Sequence, residues 1–137
     1  IGADAVLHPD ELDVPSIAEP DRIVDGAVDV VLECSGKATA MEAGLAKLTR
    51  GGTLVLVGAG IEAPRFDPNR ILLNELNVTG AFNHDDDGFE RALALLGDGT
   101  VPVDALVEAA EVPLDGLLDA LHALADGRLA GKVLVRP

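Results

Sequence analysis

Three short stretches, Glu33–Gly36, Gly58–Gly60 and Ala81–His84, each follow an apolar run and are rich in small residues. Gly36, Gly58, Gly60 and, just ahead of the third stretch, Gly80 have no side chain to hold a ligand away. A flat ring or a phosphate could therefore close on main-chain N–H and C=O groups there. The same glycines could simply end strands, and the residues alone do not choose. Gly58-Ala59-Gly60 is not a G-x-G-x-x-G fingerprint, and it follows the wrong strand to be one. Glu33 would face either a cleft or solvent, and the pattern leaves both open.

Metal chemistry has less support. Cys34 is the sole cysteine, so it makes no internal disulfide and no thiolate zinc site by itself. In an apolar run it reads as a small core residue. His8, His84 and His122 have no partners at ligand spacing.

The elements that must position these stretches come in two textures. From Ala3 to about Phe82, short β-branched runs alternate with helical or loop stretches, the pattern of parallel α/β units. Ala3–His8 is the first candidate strand. Pro9, Pro15 and Pro20 then leave room for at most one short helix before Ala27. Val28–Leu32 is a continuous apolar run after Asp29, suited to a strand covered on both faces. Ala38–Leu48 carries Met41, Leu45 and Leu48 at helical spacing, with Gly51-Gly52 closing the helix. Thr53–Val57 is the next buried strand. A Gly- and Pro-rich loop, Gly58–Pro68, leads to a short helix Asn69–Glu75 and a strand Asn77–Phe82.

Beyond Phe82 helices take over. Asp87 can cap a helix striped by Phe89, Leu93 and Leu96, with Glu90 three residues on and Gly97 and Gly99 as stops. A second helix, about Leu114–Asp126, sets Leu114, Leu117, Leu118, Leu121 and Leu124 on one face, and Gly127 ends it. Lys132–Val135 is a last strand.

Bulk properties exclude several functions. Ten basic against 24 acidic residues in 137 give a net charge of −14, which repels nucleic-acid phosphates and anionic membranes. The acidity is spread along the chain as a solvated surface, with Asp85–Asp87 its one run. With three Phe and no Trp or Tyr there is no aromatic platform for stacking bases. No leader pattern and no bilayer-length apolar run is present, and the single cysteine suits a reducing, cytoplasmic setting. The sequence opens on Ile1 rather than Met, so an internal start is expected.

Taken in order, Gly2-Ala3-Asp4, VDVVLECSG (28–36), RGGTLVLVGAG (50–60), NELNVTGAFNH (74–84), FERALALL (89–96) and GKVLV (131–135) resemble one family over nearly the whole chain. It is the zinc-dependent alcohol and polyol dehydrogenases of the medium-chain dehydrogenase/reductase superfamily. The resemblance implies an α/β fold: the C-terminal portion of a Rossmann-type parallel sheet, strands 3–6, then helices and a strand returning to the substrate domain. Residues 1–83 would be a partial nucleotide-binding domain lacking its first two strands, and residues 84–137 the C-terminal part of the substrate domain. The pyrophosphate turn and the residue selecting NAD or NADP would lie in the missing part.

Carried over by position, the family's nicotinamide contacts fall on Cys34, Ser35 and Gly36, on Val57, Gly58 and Ala59, and on Ala81, Phe82 and Asn83. Lys132 is a further candidate, near the pyrophosphate. The zinc ligands would come from outside this chain, and no catalytic or metal residue is assigned within it. The full-length protein is thus expected to transfer a hydride between NAD(P) and an alcohol or carbonyl substrate with zinc assisting, and the segment alone to be inert. A zinc-free quinone or enoyl reductase, or a non-catalytic dimerisation module, is the alternative. A homodimer is expected through the Asn77–Phe82 edge. With strands 1 and 2 absent, Ala3–His8 has no neighbour in the order 3-2-1-4-5-6, so Ile1–Ala27 should be the least native segment, with exposed apolar surface.

Overall fold

The computed structural model describes residues 2–137; Ile1, the start of the segment expected to be least native, lies outside them. The chain divides into two compact units, one Asp4–Asn83 and the other His84–Pro137 with the residues just before Asp4.

In the first unit, β-branched runs build three strands, β1 (Val28–Glu33), β2 (Leu48–Leu56) and β3 (Asn77–Gly80). Helices α1 (Ala38–Lys47) and α2 (Asn69–Asn74) connect them. The strands are parallel in the order β1-β2-β3, with Val31 opposite Leu54 and Leu54 opposite Val78. Glu75 ends α2 in the left-handed region at φ 54°, its N–H reaching the Ile71 and Leu72 carbonyls.

The core lies between the helices and one face of the sheet. Leu45, Leu48, Leu54 and Leu76 are buried together, with Val31, Leu56 and Ile71 packed around them. The other face is open: Val28, Val30 and Leu32 are 38%, 57% and 63% exposed. This corrects the expectation of a strand covered on both faces. A parallel sheet needs a layer on each side, and among the described residues this unit supplies one.

Two further expectations are revised. Ala3–His8 forms no strand and is exposed throughout, because a strand without a paired neighbour has no ladder to join. Gly51-Gly52 does not close α1. The helix passes directly into β2, and Gly51, at φ +74°, sits where β2 bulges between its pairings of Leu48 with Val28 and Thr53 with Val30.

The proline-rich stretch before β1 carries only a short 3-10 turn, Pro9–Glu11, yet it is tied down by side chains. Arg70, 5% exposed, donates to the Pro20 and Arg22 carbonyls and, at 2.7 and 3.0 Å, to those of Ala46 and Leu48. Asn74 donates to Pro20 O at 2.7 Å, and Lys47 to the Asp13 and Asp25 carbonyls at 3.2 and 3.1 Å. Arg70 thereby places its charge at the carbonyl end of α1, where the helix dipole favours a cation. Burial lowers the guanidinium pKa from its ordinary value.

The second unit holds α3 (Gly88–Gly97), α4 (Val103–Leu106), β4 (Val112–Pro113), α5 (Leu117–Ala125) and β5 (Val135–Arg136). β4 and β5 pair in parallel, preceded by a single bridge from Val107 to Lys132. The expected strand Lys132–Val135 is thus reduced to that bridge and a short β5. Asp87 precedes α3 but makes no side-chain capping bond; it pairs instead with Arg91 at 3.9 Å.

The expected second helix starts as a 3-10 turn, Leu114–Gly116, before α5 begins. Its buried residues are Ala120 and Ala123, while Leu114, Leu118 and Leu121 are at least half exposed. Phe89 and Leu93 of α3 are exposed as well. An apolar stripe is buried only when another element faces it, which periodicity cannot supply.

Candidate functional site

Parallel pairing brings the carboxyl ends of β1, β2 and β3 side by side, with Glu33 opposite Leu56 and Leu56 opposite Gly80. The next residues of each strand therefore form one cluster: Cys34, Ser35 and Gly36; Val57, Gly58 and Ala59; Ala81, Phe82 and Asn83. Main-chain bonds hold it. Glu33 O accepts from Val57 N and Gly58 N at 2.8 and 2.9 Å, and Leu56 O accepts from Ala81 N at 2.9 Å.

Glu33 faces neither cleft nor solvent. At 4% exposure its carboxylate turns back on its own loop and accepts from Ser35 N at 2.7 Å, Ser35 Oγ at 2.5 Å and Gly36 N at 3.0 Å. Ser35 Oγ in turn accepts from Lys37 N at 3.2 Å. The Ser35 hydroxyl, more than any other group, holds the Glu33 pKa below its ordinary 4.5, and the Ser35 and Gly36 amides add to it. Glu108 in the second unit is lowered likewise, by the Gly131 and Ala130 amides. Both carboxylates bind protons less readily folded than unfolded, so each stabilises the fold above about pH 4.5 and stops doing so as pH falls below it. An E33Q/E108Q double variant should accordingly show a shallower fall in stability between about pH 5 and 3 in acid titration followed by circular dichroism. An unchanged slope would contradict this.

The glycines have a role the sequence left undecided. Gly36, at φ +70°, and Gly58 and Gly60 pack main chain against main chain across the two loops. A Cβ on Gly36 would sit 2.6 Å from the Ala59 carbonyl carbon, and one on Gly58 would sit 2.7 Å from that of Cys34. These glycines therefore interlock the loops.

What the cluster presents outward is small and partly apolar. Val57 is 48% exposed and Phe82 91%; Cys34, Ser35, Ala59, Ala81 and Asn83 are exposed, with Asn83 at φ 60°. Cys34 is therefore an exposed thiol rather than the core residue its run suggested, because it lies one residue past β1. Such a rim of small residues and main chain fits a flat ring.

Lys132 belongs to the second unit. Its N–H donates to Leu106 O at 2.7 Å, and it borders an apolar cavity of about 580 Å³ with Leu117, Leu121 and Leu124. Among the described residues no group of three His, Cys, Asp or Glu converges to hold a metal, so the donor set here does not fit zinc. No helix among them is long and apolar enough to cross a membrane.

The family model of the zinc-binding dehydrogenases matches residues 1–98. The chain belongs to the zinc-binding dehydrogenases. Among this family's members, a sorbitol dehydrogenase from Pongo abelii is 32% identical over 111 residues, covering 78% of this chain and 30% of its own. A thermostable alcohol dehydrogenase from Pyrobaculum aerophilum superposes with a TM-score of 0.77 at 32% identity, over 99% of this chain and 37% of that one. A structure described as a zinc-binding dehydrogenase from Sinorhizobium meliloti 1021 bound to NADP gives 0.69 at 28% identity, over 98% and 39%. This zinc-binding dehydrogenase chain thus spans about three tenths to two fifths of these relatives' length. The α/β parallel-sheet fold is that of the nucleotide-binding half of these enzymes.

Proposed function

We propose that the strand-end cluster is the nicotinamide side of an NAD or NADP site, in a protein that transfers a hydride between that cofactor and an alcohol or carbonyl substrate. The observation that carries this reading is the alignment of three parallel strand ends with exposed small residues beyond them, where ligands bind in open α/β sheets. The NADP-bound relative supports the cofactor, and the sorbitol and alcohol dehydrogenase relatives support the substrate class.

The bound cofactor supplies the hydride-accepting ring. Main-chain groups of Cys34–Gly36, Val57–Ala59 and Ala81–Asn83 would hold the carboxamide and orient the ring, a contribution of position rather than of acid–base chemistry. No step is assigned to zinc, since the residues that would hold it lie outside this chain. Residues 84–137 are proposed to complete the substrate domain. β3 pairs on one side only within its unit, which favours a homodimer through the Asn77–Phe82 edge. A cytoplasmic setting suits the single free cysteine.

Val57→Trp in the full-length protein tests the reading. The position is half exposed, so the fold should tolerate indole while the ring site is filled. NADH or NADPH affinity should fall by about a hundredfold, a loss of the order seen when one central contact is blocked. Fluorescence titration with unchanged affinity would sink the assignment.

A further inference from the structure

We propose that Glu33 is the positioning residue of this cofactor site, holding the Cys34-Ser35-Gly36 loop in its binding conformation before the cofactor arrives. The inference rests on the cofactor reading above.

The geometry makes Glu33 the common anchor of two loops. Its side chain takes the Ser35 amide, the Ser35 hydroxyl and the Gly36 amide, while its main-chain oxygen takes Val57 N and Gly58 N. As the last residue of β1 it shares a face with Val31, so its carboxylate starts on the covered side of the sheet and reaches the loop from beneath. Gly58 and Gly60 pack main chain to main chain on Gly36, so the loop is held by Glu33 and by its neighbouring loop within the first unit.

The choice of a carboxylate also points to this role. Three donors converge on its Oε1, and the Gly36 amide also reaches Oε2 at 3.1 Å; an amide in the same pose would set its NH2 against the Gly36 N–H. None of the ion pairs among the described residues includes Glu33. The hydrogen bonds of its carboxylate go to its own turn, so what they stabilise is the loop conformation itself. Ordering a binding loop in advance removes that ordering cost from ligand binding.

The test uses the full-length protein, titrated with NADH and NADPH by fluorescence, with steady-state kinetics in parallel. E33Q should weaken cofactor binding about tenfold and raise the cofactor KM by a similar factor, with kcat within about twofold. E33D, which keeps the charge on a shorter arm, should recover part of that loss. L45A, which empties core space remote from the loop, should lower thermal stability while leaving cofactor affinity unchanged. If E33Q binds cofactor as the wild type does while Val57→Trp does not, the positioning role is wrong and the cofactor site stands. If Val57→Trp binds normally too, or the wild type binds neither cofactor, the cofactor reading itself has failed. Should E33Q not fold, Ser35→Ala, which removes the hydroxyl's links to Glu33 and to Lys37 N and leaves the main-chain bonds, decides. A rise in Kd of about threefold is expected, and an unchanged value overturns the proposal.

Discussion

Arg70→Met is expected to lower the unfolding free energy by about 2–4 kcal/mol, because several buried carbonyls lose a charged donor at about 1–3 kcal/mol each before relaxation. Methionine matches much of the stem volume but returns no donors. The carbonyls of Arg22, Ala46 and Leu48 would lose this donor together, and that of Pro20 would be left to Asn74. Two belong to the irregular stretch before β1 and two to the junction of α1 with β2, so the loss also weakens the hold on a segment that Asn74 and Lys47 share. Denaturant unfolding of Arg70→Met beside Arg91→Met gives the comparison. Arg91 is an exposed side chain in a 3.9 Å surface pair, and its replacement should stay within about 0.5 kcal/mol. A loss under about 1 kcal/mol for Arg70→Met would mean that those carbonyls find other donors.

Gly36→Ala should cost about 3–4 kcal/mol, combining left-handed backbone strain with overpacking. At φ +70° an L side chain is already disfavoured, and the new Cβ would meet the Ala59 main chain from 2.6 Å at its carbonyl carbon. Main chain cannot swing aside as a side-chain tip can, so the loops after β1 and β2 must part. Cofactor affinity of the full-length protein should fall with stability, because the parted loops carry six of the proposed contacts. Gly99→Ala isolates the backbone contribution. At φ +77° with nothing within 4 Å of its added Cβ, it should cost only about 1–2 kcal/mol. Equal losses in thermal or denaturant unfolding would contradict the interlock.

Much of the first unit was legible in the residues. β-branched runs at 28–33 and 53–56, the periodic helix from Ala38 and the Asn77 strand each carry a local signal, and parallel order follows from their alternation with helices. Glu33 was noticed but not placed, since its direction depends on which side of the sheet α1 covers. Arg70 and Asn74 were missed. Their four-residue spacing puts them on one face of α2, where Asn74 meets the Arg70 carbonyl, but the other carbonyls they meet lie 22–54 residues away in the chain.

By itself the sequence determined the strand and helix types of the first unit from Val28 onward and which small residues follow each strand, because these rest on local periodicity and residue type; the order of its motifs carried the resemblance to the family. The tertiary structure decided what those residues do. The glycines interlock two loops, Glu33 binds its own turn, Arg70 closes carbonyls from distant segments, and the apolar faces of β1, α3 and α5 remain open. The physical reason is that burial and hydrogen-bond partnership belong to pairs of segments, and a pattern along one segment carries no information about what stands opposite it.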